Sequence, residues 1–228
     1  MNEHMKSQDI FLLLKLLGLE KRAADMAQLG AGPADDTGAA FGTWQDWAAE
    51  APPHADLNAA VPDEVYTASW LASSYSVRGL AASTGISKSE VSAALKRCAD
   101  IGLAKLDRYT QLPAVNRAGL WEFLVYGLRY VYPVKPGELT RGITTGVGAP
   151  IFANQLMSGG DLLPVWPDPT GNTKGLAITP LFKTVPFAVK RDPHLYALLA
   201  LTDALRLGKP RERNFAAEKL STWMGLQR

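Results

Sequence analysis

Cysteine is nearly missing from this chain: Cys98 stands alone in 228 residues. That excludes an internal disulfide and suits a reducing compartment, so a cytoplasmic protein is expected. Histidine is almost as scarce. His4, His54 and His194 lie far apart in unrelated contexts, which gives no zinc-ligand spacing. No apolar run reaches the length of about 18 residues that a membrane helix needs. The early FLLLKLLGL is interrupted by Lys15, and no small-residue cleavage site follows it, so it does not read as a signal peptide. The glycine-rich GAGPADDTG and TTGVGAP lack the G-x-x-x-x-G-K phosphate cradle. No acid/base pair, activated nucleophile or metal set assembles. An enzyme is not expected, and neither catalytic residues, a metal nor a cofactor is assigned.

The remaining absence is positional. Residues 23–64 contain no Lys or Arg but eight carboxylates, so this stretch carries −8 and the rest of a +2 chain carries +10. A basic body suits a polyanionic partner. Hydrophobic residues at 47% and charged residues at 20% leave enough apolar material for a core.

What is present is densest at Tyr75–Arg97, YSVRGLAASTGISKSEVSAALKR. Ser76 is placed to cap a helix with Val77, Leu80 and Ala81 on one face, and Gly85 to end it in a left-handed turn. Ile86 plugs the turn. Ser87 opens a second helix, with Glu90 at capping-box spacing. Val91, Leu95 and Cys98 fall on the inner face of that helix. Lys88, Ser89, Ser92, Ala93 and Lys96 fall on the outer face, with Arg97 at its edge. Two short helices around a glycine turn, the second with short side chains and cations outward, read as a helix-turn-helix. A helical hairpin in some other all-α domain is the plainer reading of the same pattern.

The segment GISKSEVSAALKR resembles the recognition segment of bacterial winged-helix transcriptional regulators of the broad MarR type, over roughly residues 66–110. The resemblance implies a DNA-binding domain whose recognition helix, residues 87–101, enters a major groove. Lys88, Ser89, Ser92 and Ala93 are then expected at base edges. Arg78, Ser87, Lys96, Arg97, Lys105 and Arg108 are expected at phosphates. After Gly102 the stretch LAKLDR alternates as a half-buried strand does. Only YTQLPAV then precedes Asn116, so the wing is expected to be short or to have one proper strand.

Elsewhere, Ser7 to about Arg22 is apolar nearly all round and reads as a helix buried on two sides. Residues 23–62 form an acidic insertion. Within it Thr43–Ala51 reads as a short helix carrying Trp44 and Trp47, which dock back onto the domain. Asp63 or Thr67 starts a helix through Leu71. Asn116–Tyr132 is a strong helix stopped by Pro133, with Leu120, Trp121, Leu124 and Leu128 offered to a domain junction or a dimer partner. LLPVWPDPTGNTKGLAI reads as a hairpin whose first strand is an edge. Asp192–Leu207 reads as an amphipathic helix, with His194 exposed at its start. Pro210 opens a last helix with Phe215, Leu220 and Trp223 inward. Arg206, Lys209, Arg211 and Arg213 make a basic knuckle, either compensating helix dipoles or contacting phosphate.

The expected fold is α+β, mostly α: a winged helix-turn-helix domain over 1–115 with its insertion at 23–62, then a smaller α+β domain over 116–228 for dimerisation or for partner or ligand contact. The expected partners are double-stranded DNA and a second copy of the chain. A protein or small-molecule effector is assigned to the C-terminal domain. The alternative is a protein-interaction module, an antitoxin or assembly factor, in which DNA binding is secondary.

Overall fold

Two helices with no polar face occupy the centre of the computed structural model, which describes residues 4–28, 46–47, 64–153, 155 and 162–226. The first, α1 (Ser7–Gln28), has Ile10 through Leu14 and Leu16 sealed from solvent, and even Lys15 is buried. The expected two-sided burial holds, and the helix runs six residues past Arg22. Its partner has an unbroken buried stretch from Leu195 to Arg206 inside a helix spanning Pro193–Leu207. That segment was expected to be amphipathic. LYALLALTDALRL is apolar at nearly every position, and its few polar groups are satisfied internally, so no face needs water. The two helices pack against each other.

The fold is mixed α+β and mostly helical. Against one flank of α1 lie α2 (Glu64–Tyr75), α3 (Val77–Thr84) and α4 (Lys88–Asp100). The local signals act as their chemistry dictates. Ser76 accepts from Gly79 N–H at 3.0 Å, Gly85 sits at φ 72° with its N–H on Ala81 O, and Ser87 accepts from Glu90 N–H. Gly102 adopts φ 74° after the last helix. The chain then forms a short hairpin of two strands, β1 (Ala104–Leu106) and β2 (Pro113–Val115), paired antiparallel with Ala104 opposite Val115. Both strands are formed, three residues each.

Arg117–Glu122 (α5), a π-helical turn Phe123–Gly127 and Leu128–Val131 (α6) follow as one continuous rod. A pure α-helix was expected. Residues spaced by four drift around an α-helix, and a π turn absorbs that drift. Leu120, Leu124 and Leu128 consequently all stay at 0–1% exposure. They face the chain's own interior: the rod packs on the Pro193–Leu207 helix and on the last helix. Covered by these helices, the three leucines keep no surface open to a dimer partner, while Trp121, offered with them, is half-buried and donates its Nε1 to Ala217 O.

The second half is built on three strands, β3 (Leu139–Thr144), β4 (Pro164–Pro167) and β5 (Thr173–Ala177), each paired with both others. β4 and β5 both run antiparallel to β3 and therefore parallel to each other, Pro164 opposite Leu176. The expected β4–β5 hairpin is thus replaced by a closed ring. Such a narrow ring brings backbones into contact: a Cβ on Gly142 would sit 2.1 Å from Trp166 O, and one on Gly175 2.1 Å from Leu163 O. After the ring come α7 (Val185–Val189), the central helix α8 (Pro193–Leu207) and α9 (Pro210–Trp223). Asp192 caps α8 through Leu195 N–H, and Pro193 is its first residue. In α9, Ala216 and Leu220 are buried, while Phe215 and Trp223 are half-buried.

Buried residues from both halves form one continuous core from Ile10 to Met224, and the 115/116 boundary lies within it. Of the acidic insertion, Ala23–Gln28 belongs to α1, and Asp46 and Trp47 are also described; the Thr43–Ala51 helix otherwise lies outside the described residues, as does Trp44. Asp46 and Trp47 form a bend and a bridge rather than a helix, and they do dock. Asp46 accepts from Thr144 N–H and the Thr173 hydroxyl, both at 2.7 Å, while Trp47 bridges to Gly171 and meets Tyr196 edge-on.

Candidate nucleic-acid interface

The outer face of α4 is set by how its inner face is anchored. Val91, Ala94, Arg97 and Cys98 are buried, whereas Leu95, expected inward, is only half-buried. Arg97 forks onto Asp9 of α1, Nε to Oδ2 at 2.9 Å and Nη2 to Oδ1 at 2.7 Å, with 4% of its side chain exposed and none of Asp9's. The expectation that Arg97 contacts phosphate is therefore overturned: its fork is spent on a buried carboxylate. The signal for this was Asp9, an acid in an otherwise apolar helix, because a buried charge needs a partner. Cys98 lies beside this pair. Burial, reinforced by Asp9, pushes its thiol up to about 12, which keeps it protonated at neutral pH.

Glu90 ties α4 to α1 a second time. Ser87 holds one half of the expected capping box, but the Glu90 carboxylate turns away to the Gln8 side-chain amide and lies 3.7 Å from Lys6 Nζ. The Gln8 amide is the main reason its carboxyl stays below the usual range. These contacts hold the roll of α4 about its own axis.

Outward, Lys88, Ser89, Ser92 and Lys96 are exposed together, with Ala93 half-buried at their flank. Ser87 Oγ is occupied as the helix cap and sits 3.2 Å from Ser89 Oγ. Arg78 on α3 and Lys105 and Arg108 on the hairpin are also exposed. None of these cations has an acidic partner among the described residues. The nearest hairpin acid, Asp107, is consumed by the turn. It accepts from Thr110 N–H at 2.8 Å and Tyr109 N–H at 3.0 Å, which hold its carboxyl below the usual range. The same turn displays Tyr109 at 96% and Leu106 at 63% exposure. The sequence reading missed both, although a tyrosine inside a tight turn has nowhere to bury.

Behind the hairpin, α1, α2 and β2 enclose an open cleft of about 370 Å³ lined by Leu71, Tyr75, Leu112 and Val115. The ion pair between Arg117 and Glu20, 2.8 Å, stands at its wall.

The C-terminal basic knuckle does not survive as a unit. Arg206 is buried, donating to Asp203 at 2.7 Å and to the Tyr132 and Thr179 carbonyls, while Lys209 and Arg211 remain exposed. Asp203 also accepts from Thr145 Oγ1 at 2.9 Å and Trp166 Nε1 at 2.7 Å. Its complete burial still pushes its carboxyl up. These bonds fasten the strand ring to α8. His194 is half-buried rather than exposed, edge-on to Trp223 and 3.5 Å from Asp25; burial lowers its pKa despite the nearby carboxylates. Among the described residues no group of His, Cys, Asp or Glu is placed to hold a metal ion, and no helix is long and apolar enough to cross a membrane. Comparisons with protein-family models, with curated proteins and with solved structures found no match to this chain.

Proposed function

We propose that this chain is a sequence-specific, double-stranded-DNA-binding regulator of the cytoplasm. In this reading residues 64–115 are a winged helix-turn-helix and α4 is its major-groove reader. The observation that carries the reading is the division of α4. Its back is locked to α1 by Arg97 and Glu90, while Lys88, Ser89, Ser92 and Lys96 project from the other side: the two lysines have no acidic partner among the described residues, and Ser89 meets only the Ser87 hydroxyl. A rigid helix with short polar side chains and free cations near its N-terminus matches how a recognition helix meets base edges. Lys88 suits guanine O6/N7, the two serines suit any base, and the edge of Ala93 suits a thymine methyl. Lys96, Arg78, Lys105 and Arg108 serve phosphates.

The reading includes a homodimer, since paired half-sites give a regulator its operator symmetry. The apolar surface left for it on the α5–α6 rod is Tyr126, Tyr130 and Val131, at 62%, 76% and 54% exposure. The same three side chains favour the alternative, a protein-interaction module, if the partner is another protein.

A gel shift with genomic fragments at two salt concentrations separates the two. The regulator retains a subset of fragments at the higher salt, and its affinity falls steeply between the two conditions. Fragment-independent or absent binding, with a stoichiometric protein partner co-purifying, sinks the DNA reading.

A further inference from the structure

A run of exposed cations leaves the α3–α4 turn and continues across the second half of the molecule. It begins where the halves touch. Thr184 Oγ1 donates to Thr84 O at 2.6 Å, and a Cβ on Gly85 would stand 3.0 Å from the Thr184 side chain. Lys183, exposed, is therefore one residue from the turn that opens α4, and Lys88 is three residues beyond Gly85 on the other side. From there α7 leads to Arg191, whose guanidinium lies 4.1 Å over the half-exposed ring of Phe187 and is held open to solvent.

Next to it Lys190 is neutralised. Its ammonium is bound by both Asp168 carboxylate oxygens, at 2.9 and 2.8 Å, and by the Thr170 hydroxyl at 2.7 Å. That clasp occupies Asp168, whose N–H donates to Arg141 O, while Asp46, next along the ring, is taken up by Thr144 N–H and the Thr173 hydroxyl. Arg141 is in turn the direct cross-strand partner of Lys174, and both are exposed. Like charges placed opposite each other on paired strands cost stability. Lys183, Arg191, Arg141 and Lys174 have no acidic partner among the described residues. Exposed cations linked from the α3–α4 turn to the strand ring, one pair kept against mutual repulsion, fit a polyanion.

We propose that Lys183, Arg191, Arg141 and Lys174 form a phosphate track for the duplex DNA that flanks the segment read by α4. The inference rests on the DNA-binding reading above and extends its footprint from the helix-turn-helix onto the strand ring. Each contact displaces condensed counterions, so the track adds salt dependence and residence on DNA without adding sequence preference.

The test uses the full chain and a random-sequence duplex of about 30 base pairs, long enough for roughly three helical turns. The slope of log affinity against log salt is measured for the natural sequence, for Lys96→Ala, and for a variant with Arg141→Gln, Lys174→Gln, Lys183→Gln and Arg191→Gln. Melting temperature is read for each. The expected result is a fourfold variant that melts no lower than the natural chain and whose slope is shallower by about 3–4, with Lys96→Ala shallower by about 1. The pair Lys183→Gln/Arg191→Gln alone should remove about half of the larger change, and it answers the question if the fourfold variant does not fold. An unchanged slope in these variants, with Lys96→Ala still shallower, overturns the track and leaves the α4 reading standing. A reduced slope in the fourfold variant with no effect of Lys96→Ala overturns the shared footprint and the α4 reading together. So does a natural chain with no salt-dependent affinity for the duplex.

Discussion

Lys96 and Arg97 are neighbours in the chain and opposites in the molecule. One is exposed on the outer face of α4 with no acidic partner among the described residues; the other is forked onto a sealed carboxylate 88 positions earlier. The two surfaces of this helix use charge for different ends. Outside, free cations in water interact over a Debye length and cost the fold little. Inside, the Asp9–Arg97 pair carries a desolvation penalty that its two hydrogen bonds offset only in one geometry. The inner pair therefore fixes orientation, and the outer set is left free to act. The Lys15–Asp192 pair, 2.7 Å and buried, does for α1 and α8 what Asp9–Arg97 does for α1 and α4.

The comparison is broken most severely by removing one inner partner. Asp9→Ala or Arg97→Ala should cost about 3–5 kcal/mol of stability, because each breaks a buried ion pair by removing one partner. The double change Asp9→Leu/Arg97→Met should cost far less. Urea midpoints measure this, and a mild Arg97→Ala that alters only salt dependence would return Arg97 to the outer set. Leu124→Asp belongs beside these, losing the fold, whereas Tyr130→Asp should leave melting unchanged and convert dimer to monomer by light scattering. A constant mass for Tyr130→Asp would remove that face from the assembly.

Outer substitutions should act on binding alone. Lys88→Ala or Ser92→Ala is expected to cost about 1–3 kcal/mol at particular base pairs, with non-specific affinity nearly kept. If binding is unmoved while the fold survives, the helix-turn-helix is a structural hairpin. Removing Gly30–Gly42 should keep or raise DNA affinity, since it takes carboxylates away from a polyanion; loss of binding without unfolding would give the segment a positive role.

The smallest effect concerns pH. Burial depresses the His194 pKa in the folded state, so the folded chain resists a proton that the unfolded chain accepts. Its contribution is present above the unfolded value, near 6.5, and is lost as pH falls through the folded value. His194→Gln should flatten thermal stability below about pH 6.5 and leave it unchanged at pH 8. An identical acid limb in both proteins would exclude His194 as its source.

How much the sequence revealed follows from range. The caps at Ser76 and Ser87 and the left-handed Gly85 depend on hydrogen bonds within a few residues, and they read correctly. The helical face of Lys88, Ser89 and Ser92 read correctly for the same reason, since periodicity alone sets it. Arg97 misread because its partner is in another helix, and a helical wheel has no term for Asp9. The parallel pairing of β4 and β5 was hidden because it follows from the antiparallel pairing of both with β3, which lies earlier in the chain. The π turn was hidden because only the shared burial of Leu120, Leu124 and Leu128 demands the extra residue. Trp47 was read as docking without its site, which requires Gly171 and Tyr196.

The burial of α1 has a consequence for synthesis. This helix is translated before one of its walls, α8, which follows more than 160 residues later. Until then Ile10–Leu17 has no complete shelter, and contacts of such long sequence separation form slowly. Nascent chains stalled before Pro193 should be held by chaperones or aggregate through this segment. Arrival of α8 against α1 is the step that closes this core.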